Sequence, residues 1–164
     1  KILFKQLGRL TKVALVYGNH ENKIKFTKNK PITKNNITIL NDQEVHLNNI
    51  ILIGRSDYTN KSQKKTKDYN LTNKTYNIVL DHQPQGTREN IKNNVDLNSV
   101  VAPITDKCFH YHSLTTYNPT LRTIAEKKHT ILHKIISSGL VGWGFPIRTV
   151  GICQYVVVNV TPDI

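Results

Sequence analysis

The chain reads as an α/β protein, and three observations carry that reading. Short apolar runs of strand length recur along it, among them Val13-Ala14-Leu15-Val16-Tyr17, Ile50-Ile51-Leu52-Ile53-Gly54 and Tyr76-Asn77-Ile78-Val79-Leu80-Asp81. Two of these runs deliver polar groups at once, as Gly18-Asn19-His20-Glu21 and as His82-Gln83-Pro84. Stretches of helical composition lie between strands, an alternation that suits layered α/β architecture.

Taken in order, a helix is expected before Lys12, then a strand over 13–17. Gly18 permits the sharp turn that the end of this strand requires. Strands follow at 37–40 and 44–47, joined by Asn41-Asp42-Gln43 as a hairpin-like turn, and then at 50–54. The run from Asn60 to Lys67 is densely basic and reads as a solvated loop or a helix start, with some helix expected within 60–74. A strand over 76–81 is closed by Pro84, which cannot donate to a ladder. A helix is expected at 87–94 and strands at 134–137 and 154–160, with no internal repeat. If the strands before Gly18 and His82 share one parallel sheet, Asn19 and His82 lie on one edge, where α/β sites gather.

An amide oxygen can ligate a hard or borderline metal, and an adjacent imidazole can act as ligand or acid. A strand ending in a polar turn accounts equally well for either segment alone. The order of a third segment changes the weighing. Ile135-Ile136-Ser137-Ser138-Gly139 is followed by Gly142-Trp143-Gly144-Phe145-Pro146-Ile147-Arg148 and then by Tyr155-Val156-Val157-Val158-Asn159-Val160. With Gly-Asn-His-Glu, Leu-Asp-His-Gln-Pro and Ile53-Gly54-Arg55-Ser56-Asp57-Tyr58, this order resembles the calcineurin-like metallophosphoesterases. The nearest branch is the bacterial one of membrane-associated phosphoesterases and enzymes similar to UDP-diacylglucosamine pyrophosphohydrolases. The resemblance runs from about Val13 to Asn98, resumes near Ile135 and continues to Val160. It implies the C-terminal part of a four-layer α/β/β/α sandwich.

That family builds a two-metal site from five segments: Asp-x-His, Gly-Asp-x-x-Asp, Gly-Asn-His-Glu, a strand-end His, and Gly-His-Thr-His. This chain carries the third and fourth. Residues 1–164 are therefore expected to be a partial metallophosphoesterase domain whose N-terminal part is missing. After Val95-Asp96-Leu97-Asn98 the pattern calls for Ser-Gly-His-Thr-His-Asn-Gly-Gln, where the chain reads Ser99-Val100-Val101-Ala102-Pro103-Ile104-Thr105-Asp106. A one-base shift among the codons permitted for this stretch recovers Ser-Gly-x-Thr-His-Asn-Gly-Gln-Met-Phe-Pro-Leu, where x cannot be His. Residues 99–133 are accordingly expected to be an out-of-frame segment, with the frame restored before Ile135. The other account is a true insertion of unusual sequence.

Lys and Arg outnumber Asp and Glu by 23 to 11, a formal charge of +12 that favours phosphates, nucleic acid or an anionic membrane surface. Lys and Asn both have A-rich codons, so an AT-rich genome explains much of this excess. No aromatic residues interleave the basic run and no helix-turn-helix pattern appears, so specific nucleic-acid recognition is not expected. Cys108 and Cys153 make neither a disulfide framework nor a zinc motif. No stretch is apolar enough to span a bilayer, although the branch allows membrane association through a segment upstream.

By resemblance, Asn19 and His82 ligate one metal, and His20 stands near the leaving-group oxygen as the catalytic proton donor or charge stabiliser. Asp81 or Glu21 would orient these groups, and Arg55 and Arg148 are candidate substrate contacts that could equally be structural. The family's cofactors are two divalent ions, of the Mn, Fe or Zn kind, which activate a water for attack on phosphorus. This chain retains ligands for at most one of them. The implied function is metal-dependent hydrolysis of phosphodiester or pyrophosphate bonds in a phosphorylated small molecule or lipid-linked substrate, with the isolated fragment expected to be inactive. The alternative is a non-catalytic basic remnant that binds nucleic acid or an anionic membrane. A third reading sets His82 with His110 or His112 around a single metal ion. His110 and His112 with His129 and His133, one helical turn apart, also suggest a zinc site, but these histidines are accidental if the segment is out of frame.

Overall fold

Hydrogen bonding divides the strands between two sheets in the structure, a computed structural model that describes residues 2–19, 32–83, 86–101, 120–127, 130–137 and 157–160. Helix α1 (Ile2–Leu10) leads into β1 (Val13–Val16), which pairs in parallel with β3 (Ile37–Leu40). The short β2 (Ile32–Lys34) pairs antiparallel with β3 and completes a three-stranded sheet, β1-β3-β2. The second sheet has the order β4-β5-β6-β7-β9-β8. Its strands are β4 (Gln43–Leu47), β5 (Ile50–Gly54), β6 (Tyr76–Asp81), β7 (Leu97–Val101), β8 (Thr120–Lys127) and β9 (Thr130–Ser137). Strands β5, β6, β7 and β9 run parallel, and β4 and β8 close the edges antiparallel. The class is α/β.

The crossover from β5 to β6 carries only a 3-10 turn, Thr66–Asp68, and that from β6 to β7 carries α2 (Thr87–Lys92). Ile51 and Ile53 of β5 and Val79 of β6 pack on one face of the sheet against Tyr69, Ile91 and Val95. Alternation puts Gly54 on the opposite face. There a side chain would run into Leu40 of β3 and Cγ1 of Val16 of β1, so the two sheets touch where β1, β3 and β5 end.

Asparagines make the tight turns. Asn35 and Asn36 are both left-handed, with φ of 53° and 61°, and form the two-residue hairpin loop between β2 and β3. Asn48, with φ 53°, begins the two-residue loop between β4 and β5. Asn94, with φ 56°, follows α2, and the Val95 N–H donates to the Asn90 carbonyl in a Schellman closure of that helix. Short amides adopt the left-handed region at small cost, so the Asn content has a structural use that codon bias alone does not describe.

Several expectations need correction. The strands that precede Gly18 and His82 lie in different sheets. Asn41 and Asp42 do not form a hairpin: β3 and β4 belong to separate sheets, and β4 pairs with β5 instead. The reason lies in Asp42, which is left-handed at φ 58° and accepts hydrogen bonds from both the N–H and the hydroxyl of Ser56. That clamp turns the chain out of one sheet into the other. Residues 157–160 are exposed and irregular rather than strand, while 154–156 lie outside the described residues. The helix expected within 60–74 is only the 3-10 turn, α2 stops at Lys92 rather than at 94, and β2, β7 and β8 were not anticipated.

Candidate functional site

The site begins at two strand ends. β1 ends at Val16 and the chain turns through Tyr17, Gly18 and Asn19, while β6 ends at Asp81 and passes directly into His82. Asn77, Val79 and Asp81 share the α2 face of β6, so His82 follows on the face that looks towards the smaller sheet. The Nε2 edge of its imidazole lies against Gly18. A Cβ on Gly18 would stand 2.8 Å from both Cε1 and Nε2 of that ring and 3.0 Å from Cδ2. Gly18 is thus required by close approach as well as by the turn, and its neighbour Asn19 is exposed.

His82 Nε2 is buried and has no hydrogen-bond partner. Buried polar atoms are almost always paired, and an imidazole nitrogen left bare marks a place where something else donates to it or accepts its lone pair. One imidazole nitrogen and one amide oxygen fit a single borderline divalent ion. Among the described residues, no three His, Cys, Asp or Glu side chains come together.

Behind His82, on the other face, lies a buried ionic network. Arg55 follows β5 and grips Asp81 with two hydrogen bonds, Nε to Oδ1 at 2.7 Å and Nη2 to Oδ2 at 2.9 Å. Asn98 of β7 donates from Nδ2 to the same Oδ2 at 2.9 Å and to the Val79 carbonyl at 3.3 Å. Burial works against the charge on Arg55, but the hydrogen bond and charge of Asp81, aided by Glu89, hold its pKa above the ordinary value. The carboxyl ends of β5 and β6 and the start of β7 are therefore tied together, one residue before the imidazole.

The segment Gly54-Arg55-Ser56-Asp57 is buried throughout, and every member has a structural task. Gly54 admits the smaller sheet, Arg55 holds Asp81, Ser56 holds Asp42, and Asp57 accepts the Thr59 N–H to turn the loop. Asn98 is a member of the network that sequence reasoning missed. No sequence signal marked it, because β7 itself was not anticipated and its place beside β6 is set by the ladder.

Of the residues singled out from sequence, Asn19, Arg55, Asp81, His82 and His133 are placed. The structure brings the turn bearing Asn19 onto His82, while His133 lies on β9 with its N–H on the Asp96 carbonyl. His20, Glu21, Arg148, His110, His112 and His129 lie outside the described residues. No helix among the described residues is long and apolar enough to cross a membrane. In comparison with known proteins, no family model, no curated protein and no solved structure matches this chain.

Proposed function

We propose that this chain is the C-terminal part of a calcineurin-like metal-dependent phosphoesterase, with Asn19 and His82 as the ligands it contributes to one divalent ion. The observation that carries this is the unpartnered, buried Nε2 of His82 lying against the Gly18-Asn19 turn. Two strand ends from separate sheets, converging in this way, suit a site held between the sheets of a layered sandwich. The contacts of Gly8 in α1 with Ile37 of β3, and of Ile91 in α2 with the larger sheet, are compatible with the four-layer order.

A divalent ion in such a site polarises a phosphoryl oxygen and lowers the pKa of a bound water. The chain's own residues do the positioning. Asn19 offers its side-chain oxygen and His82 its Nε2 lone pair, while Gly18 leaves room for the ring. Arg55, Asp81 and Asn98 fix the strand end from which His82 projects. His20 is proposed as the proton donor to the leaving group and Arg148 as a phosphate contact.

The same reading holds that residues 99–133 are translated out of frame. Asp81 pairs with Val100 across the β6–β7 ladder, so a histidine motif restored after Ser99 would continue from the strand end beside His82. The experiment for the site is a calorimetric titration of the chain with Mn²⁺ and Zn²⁺. One ion per chain, lost in both Asn19→Ala and His82→Ala, is the expected result. Binding that survives both substitutions sinks the assignment. For the frame, genomic DNA that cannot encode Thr-His-Asn-Gly in the shifted frame rules the idea out.

A further inference from the structure

A cavity of about 320 Å³ opens between the segment that follows β5, with Arg55, Tyr58, Lys61 and Lys65, and the start of α2, with Gly86 and Glu89. Arg55 continues the face of β5 that carries Ile51 and Ile53, so the cavity lies on the α2 side of the sheet and His82 on the other. It is thus independent of any ion held by Asn19 and His82. We propose that this cavity binds a small phosphate ester that carries a hydroxyl group beside its phosphate.

The charges ask for an anion. The Arg55 guanidinium is immobilised by Asp81 and only 3% exposed, so its position is set before any ligand arrives. Lys61 and Lys65 are exposed and form no ion pair with a described residue. Three cations stand against two carboxylates, Asp81 and Glu89, and leave one positive charge over. Gly86 packs closely on the guanidinium at the cavity wall, because a Cβ there would sit 2.9 Å from Arg55 Nη2.

Glu89 asks for something more than an anion. Its Oε1 is buried and has no hydrogen-bond partner, although Lys61 and Lys65 line the same cavity. An ionised phosphate oxygen would be repelled by that carboxylate and has no proton to give Oε1. A hydroxyl next to the phosphate supplies the missing donor while the phosphate oxygens meet the lysines. The volume lies at the small end of the range for small-molecule sites, roughly 300–1,000 Å³, which suits a three- to six-carbon ester.

The test is a titration of the whole chain, in EDTA, with glycerol 3-phosphate, inorganic phosphate and glycerol, read by calorimetry. Flotation with phosphatidylglycerol and phosphatidylcholine vesicles runs alongside. Saturable binding of glycerol 3-phosphate, about tenfold tighter than of phosphate or glycerol, is expected. Lys61→Ala with Lys65→Ala should weaken it by about tenfold or more without changing the melting curve, since both side chains are exposed. Glu89→Gln should abolish the preference for the ester over phosphate. Binding to phosphatidylglycerol vesicles alone, lost in the double lysine variant, assigns the same chemistry to a lipid headgroup. Binding in neither arm, or binding untouched by the lysine substitutions, overturns the proposal. Equal affinity for phosphate and the ester, indifferent to Glu89→Gln, overturns the hydroxyl contact.

Discussion

At the residue scale the molecule turns on two close approaches. The His82 ring occupies the space a side chain at Gly18 would need. Gly18→Ala should therefore push the imidazole away, cost about 1–3 kcal/mol from overpacking, and weaken divalent-metal binding together with stability. A melting curve and a Mn²⁺ titration on the same variant check both parts, and an unshifted metal affinity would remove His82 from the site. The Arg55–Asp81 pair is 3% exposed on each side. Arg55→Ala leaves a buried carboxylate without its counter-ion, so a loss of about 3–5 kcal/mol in urea unfolding is expected. Arg55→Lys should recover only part of this, because a lysine cannot reproduce the two-pronged contact. The turn glycine at 18 and the polar residues at 19 and 82 were legible in sequence. That Arg55 would spend its guanidinium on Asp81 was not, since nothing in a linear string says that residues 26 positions apart meet.

At the scale of elements, the ends of the crossovers carry much of the specificity. Asn77 is fully buried and bonds the carbonyls of Thr72 and Asn94 through its amide, while its own N–H donates to Asp96 at 2.7 Å. Burial raises the Asp96 carboxyl above its ordinary value, with the Asn77 N–H and His133 pulling the other way. The folded chain thus holds this proton more tightly than the unfolded chain does. The stability it contributes is fully present below about pH 3.8 and is lost as pH rises through the raised folded value. Asp96→Asn keeps an acceptor for Asn77 but cannot ionise. Its melting temperature relative to the unmodified chain should therefore rise as pH increases over about pH 4 to 7. A difference that stays constant across that range would show that Asp96 does not titrate with folding. Strands β1, β5 and β6 and both α-helices were readable from apolar runs and turn residues, whereas the central β7 was not. The hairpin assigned to Asn41-Asp42 failed because a side chain far along the chain, Ser56, decides which way Asp42 turns.

At the scale of the whole molecule, the described residues supply one imidazole and one amide at the proposed site, and a two-metal mechanism needs more ligands than that. The isolated chain should therefore not hydrolyse bis-p-nitrophenyl phosphate above background, with or without Mn²⁺. Turnover that disappears in Asn19→Ala would refute this. A version with the frame corrected over 99–133 and the upstream motifs present should gain metal-dependent turnover if the proposed function is right.

What the sequence determined by itself is local: the apolar strands, the glycine that lets β1 end in a turn, and the imidazole that follows β6. These depend on periodicity and on the conformational range of single residues, which neighbours in the chain settle. Only the tertiary structure decided that β1 and β6 lie in different sheets, that His82 closes on Gly18, and that Arg55, Asp81 and Asn98 lock together behind it. Those outcomes depend on which buried polar groups find partners. Satisfying a buried charge is a long-range constraint that no window of sequence contains.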